Sequence, residues 1–154
     1  MAETRWLDQR EAHLWQAYRD LNRELYGALE VQLLRDAGLS GADYQVLVPL
    51  SSAPLGVLRA RELCAQIGWD RSRLSHQVSR MERRGLVTRE ECSEDGRGSM
   101  ICLTDAGRAA IEGAAPEHAE AARRYFFDLL SNNELETLSA VFDRLLENLT
   151  RPSA

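Results

Sequence analysis

The chain has 154 residues, of which 44% are hydrophobic and 28% charged, and its formal net charge at pH 7 is −5. This composition is typical of one globular domain with a sizeable core, and it excludes an intrinsically disordered chain. No apolar run approaches the roughly 18 residues of a membrane span, and the first ten residues lack the apolar core of a signal peptide, so we expect a cytoplasmic protein with no membrane partner.

Positive charge is concentrated in the middle of the chain. Residues 59–108 hold ten arginines and eight acids, net +2, which leaves nine arginines and sixteen acids, net −7, for the rest. The stretch RSRLSHQVSRMERRG, residues 71–85, has five arginines and one acid. Such a cluster in an acidic protein indicates either a solvated helix face or a surface for a polyanion.

The first predicted element is a long helix from Arg5 to about Ala37, which Gly38 ends. Its apolar residues recur in steps of mostly three and four: Leu7, Leu14, Tyr18, Leu21, Leu25, Leu29 and Leu33. At about 1.5 Å per residue the helix would reach roughly 50 Å, and a short chain cannot cover that stripe unaided. SGAD, residues 40–43, is expected to cap a short helix that carries Tyr44, Leu47 and Val48.

Residues 58–87 predict a helix, a tight turn and a second helix. Gly68 can take the positive φ that ends the first helix, and Asp70 or Ser72 can cap the second. On the second helix Leu74, Val78 and Met81 form the buried stripe. The opposite, exposed face is predicted to carry Arg73, His76, Gln77, Arg80 and Arg84.

Residues 86–104 change to the alternating pattern of a β-hairpin, with the polar tip SEDGRGS. After Thr104 the pattern is helical again, with a kink expected at Pro116. SNNE, residues 131–134, matches a capping box that opens a last helix. We therefore predict a mainly α fold with a small β-hairpin wing, that is, a winged helix–turn–helix flanked by terminal helices.

This order predicts three parts: an N-terminal dimerisation helix at 1–38, a DNA-binding lobe at 39–104 and C-terminal dimerisation helices at 105–154. The terminal helices have more apolar surface than the middle module can cover. A second copy would bury that surface, so we expect a homodimer.

A recognition helix exposes side chains to base edges in the major groove and to phosphates beside it, and a hairpin arginine can enter a minor groove. The predicted partner is double-stranded DNA. The predicted DNA-binding residues are Ser72, Arg73, Ser75, His76, Gln77, Ser79, Arg80 and Arg84 on the helix, with Asp95 and Arg97 on the hairpin.

An enzyme and a protein-interaction module are the two alternatives to a DNA-binding protein. The sequence has no glycine-rich phosphate loop and no GxSxG or HExxH motif, which disfavours an enzyme, and no cofactor is expected. A dimeric interaction module without DNA binding would keep the apolar helices but would not need Arg73, Gln77 and Arg97 on converging surfaces.

The sequence resembles the MarR family of transcription regulators. The resemblance rests on LWQAYRDL in the first helix, GLSGADYQVL, the helix–turn–helix LCAQIGWDRSRLSHQVSRMERRGLV, and DGR followed by LTDAG. It implies a dimer on a pseudo-palindromic operator, usually a repressor, released by a small ligand or by thiol oxidation.

The resemblance also implies a ligand site where the dimerisation helices meet the DNA-binding lobe. There His13, Trp15, Tyr18, Arg19 and Tyr44 would suit an aromatic or phenolic ligand, although packing alone would also explain these aromatic rings. A redox alternative would use Cys92 and Cys102 in the wing. The three histidines have no metal-ligand spacing, so no metal site is predicted, and a set of His13 with His118 stays an open alternative.

Overall fold

The structure is a computed structural model that describes residues 4–91 and 98–150. In chain order these residues form α1 (Gln9–Ala37), α2 (Gly41–Ser52), β1 (Val57–Arg59), α3 (Ala60–Ile67), α4 (Arg71–Arg83), β2 (Val87–Glu91), β3 (Ser99–Leu103), α5 (Asp105–Tyr125) and α6 (Asn132–Thr150). The mainly helical fold with a small sheet agrees with the predicted class. The chain divides into two compact units, Met1–His118 and Ala119–Ala154, which we describe separately.

In the first unit, α1 begins later than predicted because Asp8 caps it. The Asp8 carboxylate accepts a hydrogen bond from the Glu11 backbone N–H at 2.8 Å, and the Glu11 carboxylate accepts one from the Asp8 N–H at 2.9 Å. This capping box places the helix start at Gln9 instead of Arg5. The helix ends at Gly38, whose φ of 63° lies in the left-handed region, as predicted.

The caps of the helix–turn–helix also agree with the sequence. Ser40 and Asp43 form a capping box at the start of α2. Gly68 ends α3 with a φ of 69°, and the Asp70 carboxylate accepts from the Arg73 N–H at 2.8 Å to start α4. These local signals set the turn between the two helices that a DNA-binding module of this kind requires.

The sheet has one strand more than predicted. Its order is β1, β3, β2, with both neighbouring pairs antiparallel. β1 is only three residues long, so no alternating pattern marks it in the sequence. Cys102 on β3 pairs with Val57 of β1 and with Thr88 of β2. The predicted partner of Cys102 in the wing, Cys92, lies outside the described residues.

The core of the first unit joins α2, α3, α4 and the sheet. It is built from almost fully buried side chains, among them Leu47, Leu50, Leu63, Leu74, Val78, Met81 and Ile101. Each buried leucine contributes roughly 1.5–3 kcal/mol of transfer free energy. The predicted stripe of α4 is therefore confirmed, whereas Val48 of α2 is exposed. The core holds α4 by one face and leaves its other face to solvent.

In the second unit, Ser131 caps α6 as predicted. Its N–H donates to the Glu134 carboxylate at 2.9 Å, and its hydroxyl accepts from the Glu134 N–H at 3.4 Å. None of the described residues of α6 is buried. α5 begins in the first unit and continues as a helix through Pro116 of that unit. Across residues 4–91 and 98–150, no helix has the length and apolar character of a membrane span.

Candidate nucleic-acid interface

The solvent-facing side of α4 is a row of basic and small polar side chains. The exposed residues are Arg71, Ser72, Arg73, Ser75, His76, Arg80, Arg83 and Arg84. Leu74, Val78 and Met81 anchor the opposite side in the core. The structure therefore brings most of the sequence-predicted helix residues onto one accessible surface along α4.

Gln77 was assigned to the exposed face, and this assignment is wrong. Gln77 is only 2% exposed. Its side-chain amide donates to the Asp43 carboxylate at 2.7 Å, and its amide oxygen accepts from the Arg80 guanidinium. Because it lies three residues after Leu74 and four before Met81, its spacing already placed it beside the buried stripe.

Asp43 is the centre of a polar network that joins α2 to α4. Its carboxylate, 1% exposed, accepts from the Gln77 amide, from the Ser40 N–H at 2.8 Å and from the Arg84 guanidinium at 2.6 Å. Arg84 also donates to the Gly38 carbonyl at 2.8 Å, at the end of α1. The buried charge is thus paired and hydrogen-bonded, as burial requires. The sequence predicts Asp43 only as part of a helix cap and does not predict this network. It also predicts that Arg84 contacts phosphate, whereas the structure shows the Arg84 guanidinium bound to Asp43 and to the Gly38 carbonyl.

Arg89 attaches β2 to α4. Its guanidinium donates to the Ser75 carbonyl at 2.6 Å and to the Ser79 hydroxyl at 2.9 Å, while Glu82 accepts from its backbone N–H at 3.0 Å. The Ser79 hydroxyl in turn donates to the Ser75 carbonyl at 2.9 Å. Ser79 is therefore engaged inside the protein and does not present the free donor that the sequence predicted.

A cleft of about 380 Å³ lies between α3, α4 and the strands. Its polar lining includes Arg71, Ser72, Ser75, His76 and Arg89, and its apolar lining includes Cys64 and Ile101. Positive and hydroxyl-bearing groups thus follow the α4 surface toward the wing. The wing-tip residues Asp95 and Arg97, which the sequence assigned to DNA, lie outside the described residues.

Arg73 and Trp69 make a cation–π contact at the start of α4. The guanidinium carbon of Arg73 lies 4.1 Å from the centroid of the Trp69 ring. Trp69 is buried in the core cluster, whereas Arg73 is exposed. No role for Trp69 follows from the sequence pattern of the helix, although its position just before the Asp70 cap is a signal that could have shown one.

The predicted ligand residues do not form one group within the chain. Trp15 and Tyr18 stack with ring centroids 5.6 Å apart on the exposed part of α1, with His13 and Arg19 on the same helix and also exposed. Tyr44 instead contacts His118, whose Nδ1 lies 3.0 Å from the Gln32 side-chain oxygen. Gln32 is 17 residues along α1 from Trp15, which corresponds to about 25 Å. Tyr44 is therefore separate from the other four.

Burial changes the proton equilibria of several of these groups. It raises the pKa of the Tyr44 hydroxyl and lowers the pKa of the His118 imidazole, so both favour their neutral forms. Burial is also the main cause that raises the pKa of the Cys64 and Cys102 thiols, which disfavours the reactive thiolate. Among the described residues, no group of three or more His, Cys, Asp or Glu could hold a metal ion.

Comparisons with known proteins agree with this geometry. A family model described as MarR family matches residues 37–98. AbsC, a MarR family transcriptional regulator from Streptomyces coelicolor, is 38% identical with a TM-score of 0.88, and the match covers 95% of this chain and 98% of that one. The chain belongs to the MarR family of transcriptional regulators. It is accordingly a regulator and not an enzyme.

Two further solved structures are similar to this chain. Sco3205, a MarR family transcriptional regulator from Streptomyces coelicolor solved in complex with DNA, is 37% identical with a TM-score of 0.92, over 98% of this chain and 95% of that one. PcaV, a transcriptional regulator from the same organism solved with its natural ligand, is 24% identical with a TM-score of 0.71, over 94% of this chain and 98% of that one. At that identity, PcaV shows the fold alone.

Proposed function

We propose that this MarR-family regulator binds double-stranded DNA as a homodimer and represses transcription from a pseudo-palindromic operator. The observation that supports this best is the exposed basic surface of α4, which begins at Arg71 and includes Arg73, His76 and Arg80. The similarity to Sco3205, which was solved in complex with DNA, supports the same function. In this proposal α4 lies in the major groove.

The side chains of α4 divide into two roles. Arg73 and His76, in the first half of the helix, would contact base edges, because the N-terminal residues of a recognition helix approach the bases most closely. Ser72, Ser75 and Arg80 would contact phosphates and fix the orientation of the helix. Asp95 and Arg97 would act at the wing. Gln77, Ser79 and Arg84 are left out because their polar groups are engaged inside the protein. Arg80 is kept because it is exposed and, among the described residues, donates only to Gln77, which leaves its other N–H groups for phosphate.

We assign dimerisation to the helices at residues 1–38 and 105–154, and DNA binding to residues 39–104. The support is apolar surface: Leu14 of α1 is 70% exposed and Leu149 of α6 is 78% exposed in the single chain. Further exposed apolar residues on these two helices are Trp15, Tyr18, Leu21, Phe142, Leu145 and Leu146. A second copy of the chain would remove this surface from water.

We further propose that a small aromatic or phenolic ligand releases the protein from DNA. The stacked rings of Trp15 and Tyr18, with His13 and Arg19 beside them on α1, offer ring stacking and a positive charge to such a ligand. The PcaV complex supports ligand binding by this fold. Tyr44 is not included, since it packs on His118.

The deciding experiment is selection of bound duplexes from a random DNA library at about 0.15 M salt, where screening suppresses long-range attraction. We expect enrichment of an inverted repeat with half-site centres about 10 base pairs apart. Arg73→Glu should abolish the enrichment, and Arg23→Glu, on α1, should retain it. If a folded wild-type dimer enriches no sequence, the chain is an interaction module and the DNA-binding proposal is wrong.

Repression and release need a second assay on the selected operator. In transcription in vitro from a promoter that overlaps the operator, we expect the protein to lower transcript yield. Addition of salicylate as a phenolic probe should restore the yield for the wild type and not for Trp15→Ala. An increase in yield on adding the protein would instead indicate an activator.

A further inference from the structure

We propose that Trp69 is a positioning residue for Arg73, and that the pair confers a preference for guanine in each half-site. This rests on the proposed function, because it concerns how α4 distinguishes one DNA sequence from another. It assigns a DNA-recognition role to a core residue that makes no predicted DNA contact.

Trp69 is fixed in place by the core and by the backbone. It is 8% exposed and belongs to the core cluster. Its backbone N–H donates to the Cys64 carbonyl at 3.1 Å, directly after Gly68 turns the chain with a φ of 69°. The ring is therefore a rigid surface at the start of α4.

Arg73 is held in place by its backbone and by its guanidinium. Its backbone N–H donates to the Asp70 carboxylate at 2.8 Å, and its guanidinium carbon lies 4.1 Å from the Trp69 ring centroid. A free arginine side chain loses much rotamer freedom when it binds. The contact with Trp69 removes part of that cost before DNA arrives, which is preorganisation.

The contact leaves the hydrogen-bonding capacity of Arg73 available. A cation over an aromatic ring interacts with the ring face, and its N–H donors point within the guanidinium plane. Within residues 4–91 and 98–150, the Arg73 guanidinium makes no hydrogen bond or ion pair. By contrast, Arg80 and Arg84 donate to Gln77 and Asp43. Two parallel donors match the O6 and N7 acceptors of guanine.

The test is a specificity ratio, defined as the affinity for the selected operator divided by the affinity for a scrambled duplex at the same salt concentration. Partial unfolding of a variant lowers both affinities by the same factor and leaves the ratio unchanged. We would measure the ratio for wild type, Trp69→Leu, Trp69→Phe, Arg73→Ala and the Trp69→Leu/Arg73→Ala double variant. Trp6→Leu, which removes an exposed indole before α1 begins, is the matched control.

We expect Trp69→Leu to lower the ratio about two- to thirtyfold, the range that a cation–π contact corresponds to. Trp69→Phe, which keeps an aromatic face, should give an intermediate value, and Trp6→Leu should match wild type. In the Arg73→Ala background, Trp69→Leu should have no further effect. The guanine that the selection enriches in each half-site can be replaced with 7-deazaguanine, which lacks the N7 acceptor. This replacement should likewise remove the difference between wild type and Trp69→Leu.

An unchanged ratio in Trp69→Leu, or a decrease that persists in the Arg73→Ala background, would overturn the inference while leaving the proposed function intact. If Trp69→Leu does not fold, Trp69→Phe in both Arg73 backgrounds is the deciding comparison, with the same two outcomes. A wild-type protein with a ratio of one would overturn the proposed function, and this inference with it.

Discussion

Asp43 connects α2 to α4, the helix that carries the proposed interface, and its removal should be costly. Its buried carboxylate accepts from Gln77, Arg84 and Ser40. Asp43→Asn would leave Arg84 without its ion-pair partner and place a second amide against Gln77. We expect a loss of about 2–4 kcal/mol in the free energy of unfolding, measured by urea denaturation.

Asp20→Asn is the matched control, because it removes a carboxylate from the exposed pair with Arg23. An exposed ion pair contributes about 0–1 kcal/mol, so this variant should stay close to wild type. If the two variants lose similar amounts, the Asp43 network does not hold α2 and α4 together in the way its geometry indicates.

Leu55 offers the opposite case, a residue whose replacement should stabilise the protein. It has a φ of 58°, in the left-handed region, and its side chain is 95% exposed. Asn tolerates this conformation better than leucine, and little burial is lost. We expect Leu55→Asn to raise the free energy of unfolding by about 0.5–1 kcal/mol. Leu55→Ala keeps the strained backbone, so a similar gain in that variant would rule out strain as the cause.

At the scale of single residues, the sequence predicts short-range roles well and long-range ones poorly. The side chains of Asp70 and Ser40 each accept a hydrogen bond from the backbone N–H three residues later, and these capping roles follow from local spacing. Gln77 lies 34 residues from Asp43, and no local pattern connects a polar side chain with its distant partner. Polarity alone therefore placed Gln77 on the wrong face of α4.

At the scale of elements, the predicted helices and the hairpin strands are confirmed because each has its own periodicity and end signals. β1 is the exception. Its three residues, Val57–Arg59, form a strand only through their pairing with Met100–Cys102 of β3. Strand pairing over more than 40 residues of sequence cannot be derived from a three-residue pattern, and the third strand was missed for this reason.

The contact of α5 with α1 and α2 through His118 should make stability depend on pH. His118 packs on Tyr44 and lies 3.0 Å from the Gln32 oxygen, and burial lowers its pKa in the folded protein. The unfolded chain therefore binds the proton more readily than the folded one. The stability due to neutral His118 is present above the unfolded pKa and is lost as the pH falls through the folded pKa.

We expect wild type to lose more stability than His118→Gln between about pH 7.5 and pH 5, the range in which histidine titrates. Urea denaturation at both pH values measures the difference. His13→Gln, which removes an exposed histidine on α1, should show the same pH dependence as wild type. A His118→Gln variant with the full wild-type dependence would assign the effect to other groups.

For the whole molecule, the exposed apolar surface of α6 predicts a dimer that one substitution per chain should weaken. Leu145→Glu would place two charges in the proposed interface and remove two buried leucines, each contributing about 1.5–3 kcal/mol. The dimer dissociation constant should rise about a hundredfold or more. Sedimentation equilibrium measures this constant.

Leu55→Glu, at an exposed leucine outside α1 and α6, should leave the dissociation constant unchanged. A Leu145→Glu protein that dimerises as wild type does would exclude α6 from the interface.

The separation of charge along the chain predicts a strong salt dependence of DNA binding. Residues 59–108 have a net charge of +2 in a chain of net charge −5, so attraction to phosphate comes from the central segment while the remainder opposes non-specific binding. If three or four arginines per protomer contact phosphate, a plot of log affinity against log salt should have a slope of roughly −5 to −7. Arg80→Gln removes one contact in each protomer and should make the slope shallower by about 2, whereas Arg23→Gln on α1 should leave it unchanged. Fluorescence anisotropy of a labelled operator between about 50 and 200 mM salt measures these slopes. An equal change in both variants would mean that net charge, and not the α4 surface, determines the attraction to DNA.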